Sequence, residues 1–203
     1  MNHHQQFLQH INSLSAAAEL LRVCRAYKTA TDNYAFELNG RLKGGLPMDA
    51  FVSDLPHLQR AICAKLGRPF TVYRMSSDYE FSASVLQVLE GPFKYQGFMS
   101  TSDNASRLGS FVPGSGRPLL LEIECPPGIA FAPLDLFPGT DEGEYLLGCG
   151  TTFEAVGGPK SLSRDEVGEY LPFYEPENLT ILKLRATANP PFVNSSNFVT
   201  LID

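Results

Sequence analysis

Apolar residues recur at helical spacing through the first third of the chain and at alternating or continuous spacing afterwards, a change of period that falls near residue 69. Leu14, Ala17, Ala18, Leu21 and Cys24 form one helical stripe with Arg22 and Arg25 outside it, which predicts a core-packing helix capped by Ser13 or Ser15. Asp32 stands where an N-cap belongs before a second helix over 34–43, and Gly44-Gly45 stops it. A third helix is predicted over 56–66, with Pro56 in its first turn and Gly67 just past its end. His57 on that helix reads as a surface or packing residue. The polar start carrying His3, His4 and His10 reads as a mobile terminus.

From Phe70 the segments are β-rich. Residues 70–75 are aromatic and β-branched after Pro69 and predict a strand ending at or just after Arg74. Residues 82–89 read as a short helix closed by Gly91-Pro92. Residues 97–103 read as a strand that places Ser100 and Ser102 on one face and Thr101 on the other, with Ser102 or Asp103 capping a short helix through Leu108. Further strands are predicted over 118–124, 128–132, 151–156 and 179–185, and a loop over 133–140 leads into the acidic stretch 141–144. If Glu142 opens a strand, Glu142 and Glu144 present two carboxylates on one face. Short strands without regular helices between them predict an α+β fold with antiparallel or mixed sheets packed face to face. No internal repeat is visible, and the Asn/Ser/Pro-rich tail from Asn189 reads as a loose appendage.

With 203 residues and 43% hydrophobic content, the chain suits a single catalytic domain spanning 1–203, divided into a helical lobe (1–68), a β core (69–188) and a tail (189–203). A net charge of −6 gives no electrostatic footprint for general nucleic-acid binding. Cys24, Cys63, Cys125 and Cys149 form no C-x-x-C pair, which speaks against a zinc site or a disulfide framework. The start lacks a basic segment followed by a long apolar one, so no cleaved signal peptide is expected.

Three short motifs at strand ends carry the candidate chemistry. Arg74 offers a planar fork of donors suited to a phosphate or pyrophosphate. Ser100-Thr101-Ser102 supplies hydroxyls that can orient a carboxylate and a ligand. Glu144 supplies a fixed negative charge able to bond a ribose hydroxyl and stabilise a sugar cation. Each is common alone; Arg, then Ser-Thr-Ser, then Glu-x-Glu, in that order, is far more specific.

In these motifs the chain resembles the mono-ADP-ribosyltransferases of the Arg-Ser-Glu class, the group that contains many bacterial toxins and effectors. The resemblance covers about the last two thirds of the chain. The family's helix pattern Y-x-x-x-I-N-x-x-L-R has a counterpart in Tyr34, Leu38-Asn39 and Leu42-Lys43, with Leu for Ile and Lys for the final Arg. The resemblance implies two packed, roughly perpendicular sheets forming an NAD cleft, with N-terminal helices across one side. It assigns Arg74 to the NAD phosphates, Ser100 to orienting the catalytic acid and NAD, and Thr101 and Ser102 to the same cofactor-binding edge. Glu144 would hold the nicotinamide ribose and promote cleavage, and Glu142 would serve transfer to the acceptor. Phe111 is the candidate to stack on nicotinamide, against the alternative of an ordinary core Phe. Phe137 is the candidate exposed aromatic of the 133–141 substrate-recognition loop, against the alternative of a hydrophobic anchor for that loop. NAD+ is implied as substrate, and no metal is required.

Glu at position 142 resembles the arginine-specific subclass, so a protein arginine is the expected acceptor. An NAD glycohydrolase, a transferase to a non-arginine or nucleic-acid acceptor, and an inactive binding module are the alternatives. A polymerase-type relative would carry a His-Tyr-Glu set, and no His follows position 57. The resemblance further implies an effector delivered without a cleaved signal peptide to the cytosol of a host or competitor cell, with a target protein as partner. An immunity protein or chaperone is a further conceivable partner, nucleic acid and membrane are not expected, and a cytoplasmic regulatory transferase is the alternative setting.

Overall fold

The computed structural model describes residues 2–62, 68–77, 89–173 and 178–188. All but the last residue of the helix expected over 82–89, the end of the third helix from 63, Cys63 and the tail from 189 lie outside the described residues.

Four helices open the chain: α1 (His3–Asn12), α2 (Ala17–Thr29), α3 (Tyr34–Gly44) and α4 (Asp54–Ile62). The polar terminus is not mobile but helical. Asn2 accepts from the Gln5 N–H while Gln5 returns a bond to the Asn2 N–H, closing a capping box, and Phe7 and Ile11 one turn apart bury the inner face. Helix α2 buries Leu20, Val23, Cys24 and Tyr27, a face turned from the expected stripe: of that stripe only Cys24 is fully buried, Leu14, Ala17 and Leu21 pack at the edge of the core, and Ala18 is exposed. Its start differs from expectation: Ser13 ends α1, and Ala16, in left-handed conformation with no side-chain cap, precedes α2. Likewise Asn33, not Asp32, immediately precedes α3, and neither caps it through a side chain. Gly45, at φ 61°, ends α3 as its sequence predicts.

The strands are β1 (Phe70–Ser77), β2 (Phe93–Lys94), β3 (Met99–Ser102), β4 (Pro118–Cys125), β5 (Phe131–Pro133), β6 (Glu144–Leu147), β7 (Thr152–Ala155), β8 (Lys160–Ser161) and β9 (Thr180–Ala188). A fifth described helix, α5 (Arg164–Tyr170), opens with a capping box between Ser163 and Glu166 that the sequence reading passed over. The strands follow the order β2-β7-β9-β4-β1-β3-β6-β5, with β8 on β9. Among the described strands β4 and β9 pair in parallel and the other pairs are antiparallel. The fold is therefore α+β with a mixed sheet behind N-terminal helices.

Two leaves meet at one point. β1 pairs with β4 along its whole length, but with β3 only through Tyr73 and Ser102. The second leaf, β3-β6-β5, is covered on one face by the helices: Ala132 and Leu146 pack with Leu20, Leu38, Leu58 and Phe98, while Phe131, Tyr145 and Leu147 face the other way, toward Val72, Leu121, Ile123 and Leu182. The near-continuous apolar run of β4 has the same cause, since Leu120 on its other face meets Met75, Val167 and Ile181. Burying each such leucine stabilises the fold by roughly 1.5–3 kcal/mol.

Candidate functional site

The site lies where the two leaves meet under α2 and α3. In the β3–β6 ladder Ser102 stands opposite Glu144 and Ser100 opposite Leu146, so Ser100 and Glu144 are diagonal neighbours on one face. That face is the helical one, because Leu146, two residues after Glu144, packs with the helices. Arg74 on β1 reaches across the junction, its Nη1 donating to the Ser100 carbonyl at 2.9 Å.

Glu144 is 7% exposed. Burial raises its pKa, opposed by the Lys28 ammonium and the Ser100 hydroxyl, while Glu142 pushes it further up. The Ser100 hydroxyl lies between the Glu144 carboxylate and the Tyr27 hydroxyl and pulls the pKa of both groups down. Burial pushes Tyr27 up to about 12, so it stays neutral. Asn39 completes the chain, donating from Nδ2 to the Tyr27 oxygen at 2.7 Å and accepting from the Phe98 N–H at 2.8 Å. The Asn of the helix pattern is thus the joint between α2, α3 and the start of β3.

Glu142 does not belong to the strand, which begins at Glu144. It sits on the preceding turn, half-buried, with its carbonyl accepting from the Ser102 hydroxyl at 2.6 Å and its carboxylate from Thr140. Gly143 between the two acids has φ +55°, and a Cβ there would lie 2.1 Å from Asp103 Oδ1. The Asp103 N–H in turn donates to the Gly143 carbonyl at 2.9 Å. The turn makes the two carboxylates converge although they do not alternate along one strand. Lys28, near the end of α2, bonds both: its Nζ lies 3.1 Å from Glu142 and 2.9 Å from Glu144, with the lysine side chain only 2% exposed. Burial pulls this ammonium down, yet the two carboxylates outweigh it and hold its pKa above the ordinary lysine value.

The remaining expected residues divide. Thr101 and Ser102 are buried and donate to backbone carbonyls, Thr101 to Tyr145 at 2.6 Å and Ser102 to Glu142 and Asn104. Both hydroxyls therefore fasten β3 to β6 and the acidic turn. Phe111 ends the 3-10 segment Ala105–Phe111, is 46% exposed, and so is not an ordinary core Phe. Phe137 is not the exposed aromatic of its loop. The 3-10 turn Leu134–Leu136 bonds the Phe137 N–H to the Leu134 carbonyl, and the ring is buried in the core beneath the helices. It is the loop's anchor, and Leu136 is the loop's more exposed apolar residue. Arg107 is paired with Asp141, tying the acidic turn to the 3-10 segment. Lys43 lies over the Tyr95 ring, 5.0 Å from its centroid. The sequence reading passed over Lys28 and Tyr27; the signal was there, since Lys28 stands four residues after Cys24 on the stripe that packs inward.

Among the described residues no three His, Cys, Asp or Glu side chains gather as metal ligands, and no helix is long and apolar enough to cross a membrane.

No family model and no curated protein matches the chain in sequence. Solved structures match its fold. Plx2a, an ADP-ribosyltransferase toxin from Paenibacillus larvae, superposes with a TM-score of 0.62 at 18% identity, over 91% of this chain and 92% of its own. C3stau2 from S. aureus, solved with NAD, gives 0.60 at 17% identity over 93% and 98%. The enzymatic component C2-I of the C2 toxin from Clostridium botulinum gives 0.68 at 17% identity over 92% of this chain but 46% of that protein. This chain has the fold of the ADP-ribosyltransferase toxins.

Proposed function

We propose that the protein is an NAD-dependent mono-ADP-ribosyltransferase that transfers ADP-ribose, with release of nicotinamide, to a protein side chain, with arginine as the acceptor. The observation that carries this reading is the buried Glu144 carboxylate, bonded by the Ser100 hydroxyl, on a strand whose neighbour is tied to Arg74. A carboxylate so held is suited to a sugar that becomes cationic as its glycosidic bond loosens. Arg74 supplies the cationic fork for the NAD phosphates. Phe111, half-exposed near the acidic turn's tether, offers an aromatic face to nicotinamide.

The bond between ribose C1′ and the nicotinamide nitrogen breaks with its electron pair going to nicotinamide, and the acceptor nitrogen bonds C1′ and loses a proton. A guanidinium holds its proton tightly. Glu142, on a turn rather than in the ladder and more exposed than Glu144, is the carboxylate suited to orient that acceptor and take its proton, with Lys28 and Thr140 holding it in place. The toxins that share the fold support a secreted effector acting on a target protein inside another cell, with a cytoplasmic regulatory transferase as the second setting.

The test incubates wild type, Glu142→Ala and Glu144→Ala with labelled NAD and a target-cell lysate, following free nicotinamide and labelled protein. Label on protein with wild type, nicotinamide release alone with Glu142→Ala and neither with Glu144→Ala is expected. Release with no labelled macromolecule would point to a glycohydrolase, and no release from wild type would overturn the reading.

A further inference from the structure

We infer that Lys28 is a positioning residue of the reaction proposed above, on which this inference rests: its ammonium bridges Glu142 and Glu144 and supplies the counter-charge that lets two carboxylates stand side by side in a buried site. The geometry is specific. The Nζ is within hydrogen-bond distance of both acids, 3.1 Å from Glu142 and 2.9 Å from Glu144, and the side chain is 2% exposed. Its stem runs along the acidic loop, where a Cβ on Gly139 would lie 3.2 Å from the Lys28 Cε. A glycine at 139 therefore leaves the room through which the lysine reaches both acids.

Two like charges brought together in a poorly hydrated site cannot both ionise easily unless a cation stands between them. The groups facing Glu144 are Lys28 and Tyr27 from α2, Ser100 from β3 and Glu142 from the adjoining turn. Arg74 of β1 and Asn39 of α3 join by hydrogen bonds to the Ser100 carbonyl and the Tyr27 hydroxyl. Lys28 is the cation that acts most strongly on the carboxylate. Without it, burial and Glu142 both push Glu144 toward its protonated form, which has no charge to offer a developing sugar cation.

The experiment compares wild type, Lys28→Met, Lys28→Arg and Lys28→Met/Glu142→Gln by two readouts: nicotinamide release across pH, and titration of the Glu144 carboxyl carbon by 13C NMR. Met keeps most of the aliphatic stem and removes the charge; Arg keeps the charge and guards against a Met variant that folds poorly. In Lys28→Met the Glu144 titration moves to higher pH, and the loss of release at about pH 5.5 exceeds that at about pH 8 by about tenfold or more. Lys28→Arg retains the wild-type pH profile, and adding Glu142→Gln to Lys28→Met moves the Glu144 titration back toward wild type. An unmoved Glu144 titration, or an equal loss of release at every pH, overturns the role of Lys28 while leaving the NAD-cleaving reading intact. Wild type that releases no nicotinamide, with the titrations moving as stated, overturns that reading and leaves the ion clamp standing.

Discussion

Gly143 shows how a single position sets the distance between the two acids. Its φ of +55° is a conformation that costs an L-residue roughly 1–2 kcal/mol, and its missing Cβ is what lets the Asp103 carboxylate close on the turn. Gly143→Ala is therefore expected to lower stability by about 1–3 kcal/mol and to cut nicotinamide release at least about tenfold, because the turn must open and carry Glu142 away from Lys28. Thermal unfolding and a release assay check both halves. Adding Asp103→Ala relieves the collision but not the backbone conformation, so it restores part of the stability. If Gly143→Ala cleaves NAD like wild type, the turn does not set the acids' positions. Arg74, Ser100 and Glu144 are legible in sequence because each sits in a short run of neighbours whose strand spacing can be read directly. Lys28 and Tyr27 reach the same point from a helix far away in sequence, and a lone lysine near a helix end reads as solvated. Phe137 misleads for a related reason: whether an aromatic in a loop points outward is decided by a turn, here Leu134–Leu136, that tertiary packing imposes.

Helix α1 is the element that the residue pattern conceals most. Its polar start offers few apolar positions, and what fixes it is distant: His3 Nδ1 lies 2.8 Å from the Tyr145 hydroxyl, and the imidazole packs edge-on against Phe70, Phe131 and Tyr145. His4 meets Asp135, and His10 Nε2 meets the Arg60 carbonyl at 3.0 Å. Burial, helped by Arg68 and His4, lowers the His3 pKa below the ordinary value of 6.5. The neutral imidazole is the one that docks, so an undocked α1 binds the proton more readily. Docking is complete above that ordinary value and weakens as pH falls below it, until the lowered value of the docked state is passed. Hydrogen exchange of residues 3–12 is expected to quicken on going from about pH 7.5 to about pH 5.5, beyond the intrinsic effect of pH, and His3→Gln is expected to flatten that response. An unchanged response in His3→Gln would place the pH sensitivity elsewhere. The long strands β1, β4 and β9, by contrast, were legible to within three residues of their ends, because each buries a recurring set of apolar positions along at least one face, whereas two-residue β2 and β8 carry no period to read.

At the scale of the whole molecule, β5 and β6 form the wall shared by two cores. Leu146 faces the helices and Leu147 faces the long strands, one residue apart on the same strand, and both are fully buried. The site lies against that wall, with Lys28, Tyr27 and Asn39 supplied from the helical side and Arg74 from the long-strand leaf, so neither half holds a complete site alone. A shared wall couples the two cores: loss of the helical layer would bare Ala132, Leu146 and Phe98 to water and remove the cation from beside two buried carboxylates. We therefore expect the helical and β regions to unfold together. Leu146→Ala and Leu147→Ala, which probe opposite faces of β6, should each destabilise by about 2–5 kcal/mol and should lower the same single transition. With eight tyrosines and no tryptophan in the chain, tyrosine fluorescence reports tertiary packing and far-ultraviolet circular dichroism reports the helices. Their denaturation curves should coincide in wild type and in both variants. Two separate transitions, with Leu146→Ala moving only the one seen by circular dichroism, would mean that the helical layer is an independent unit laid over the β core rather than part of it.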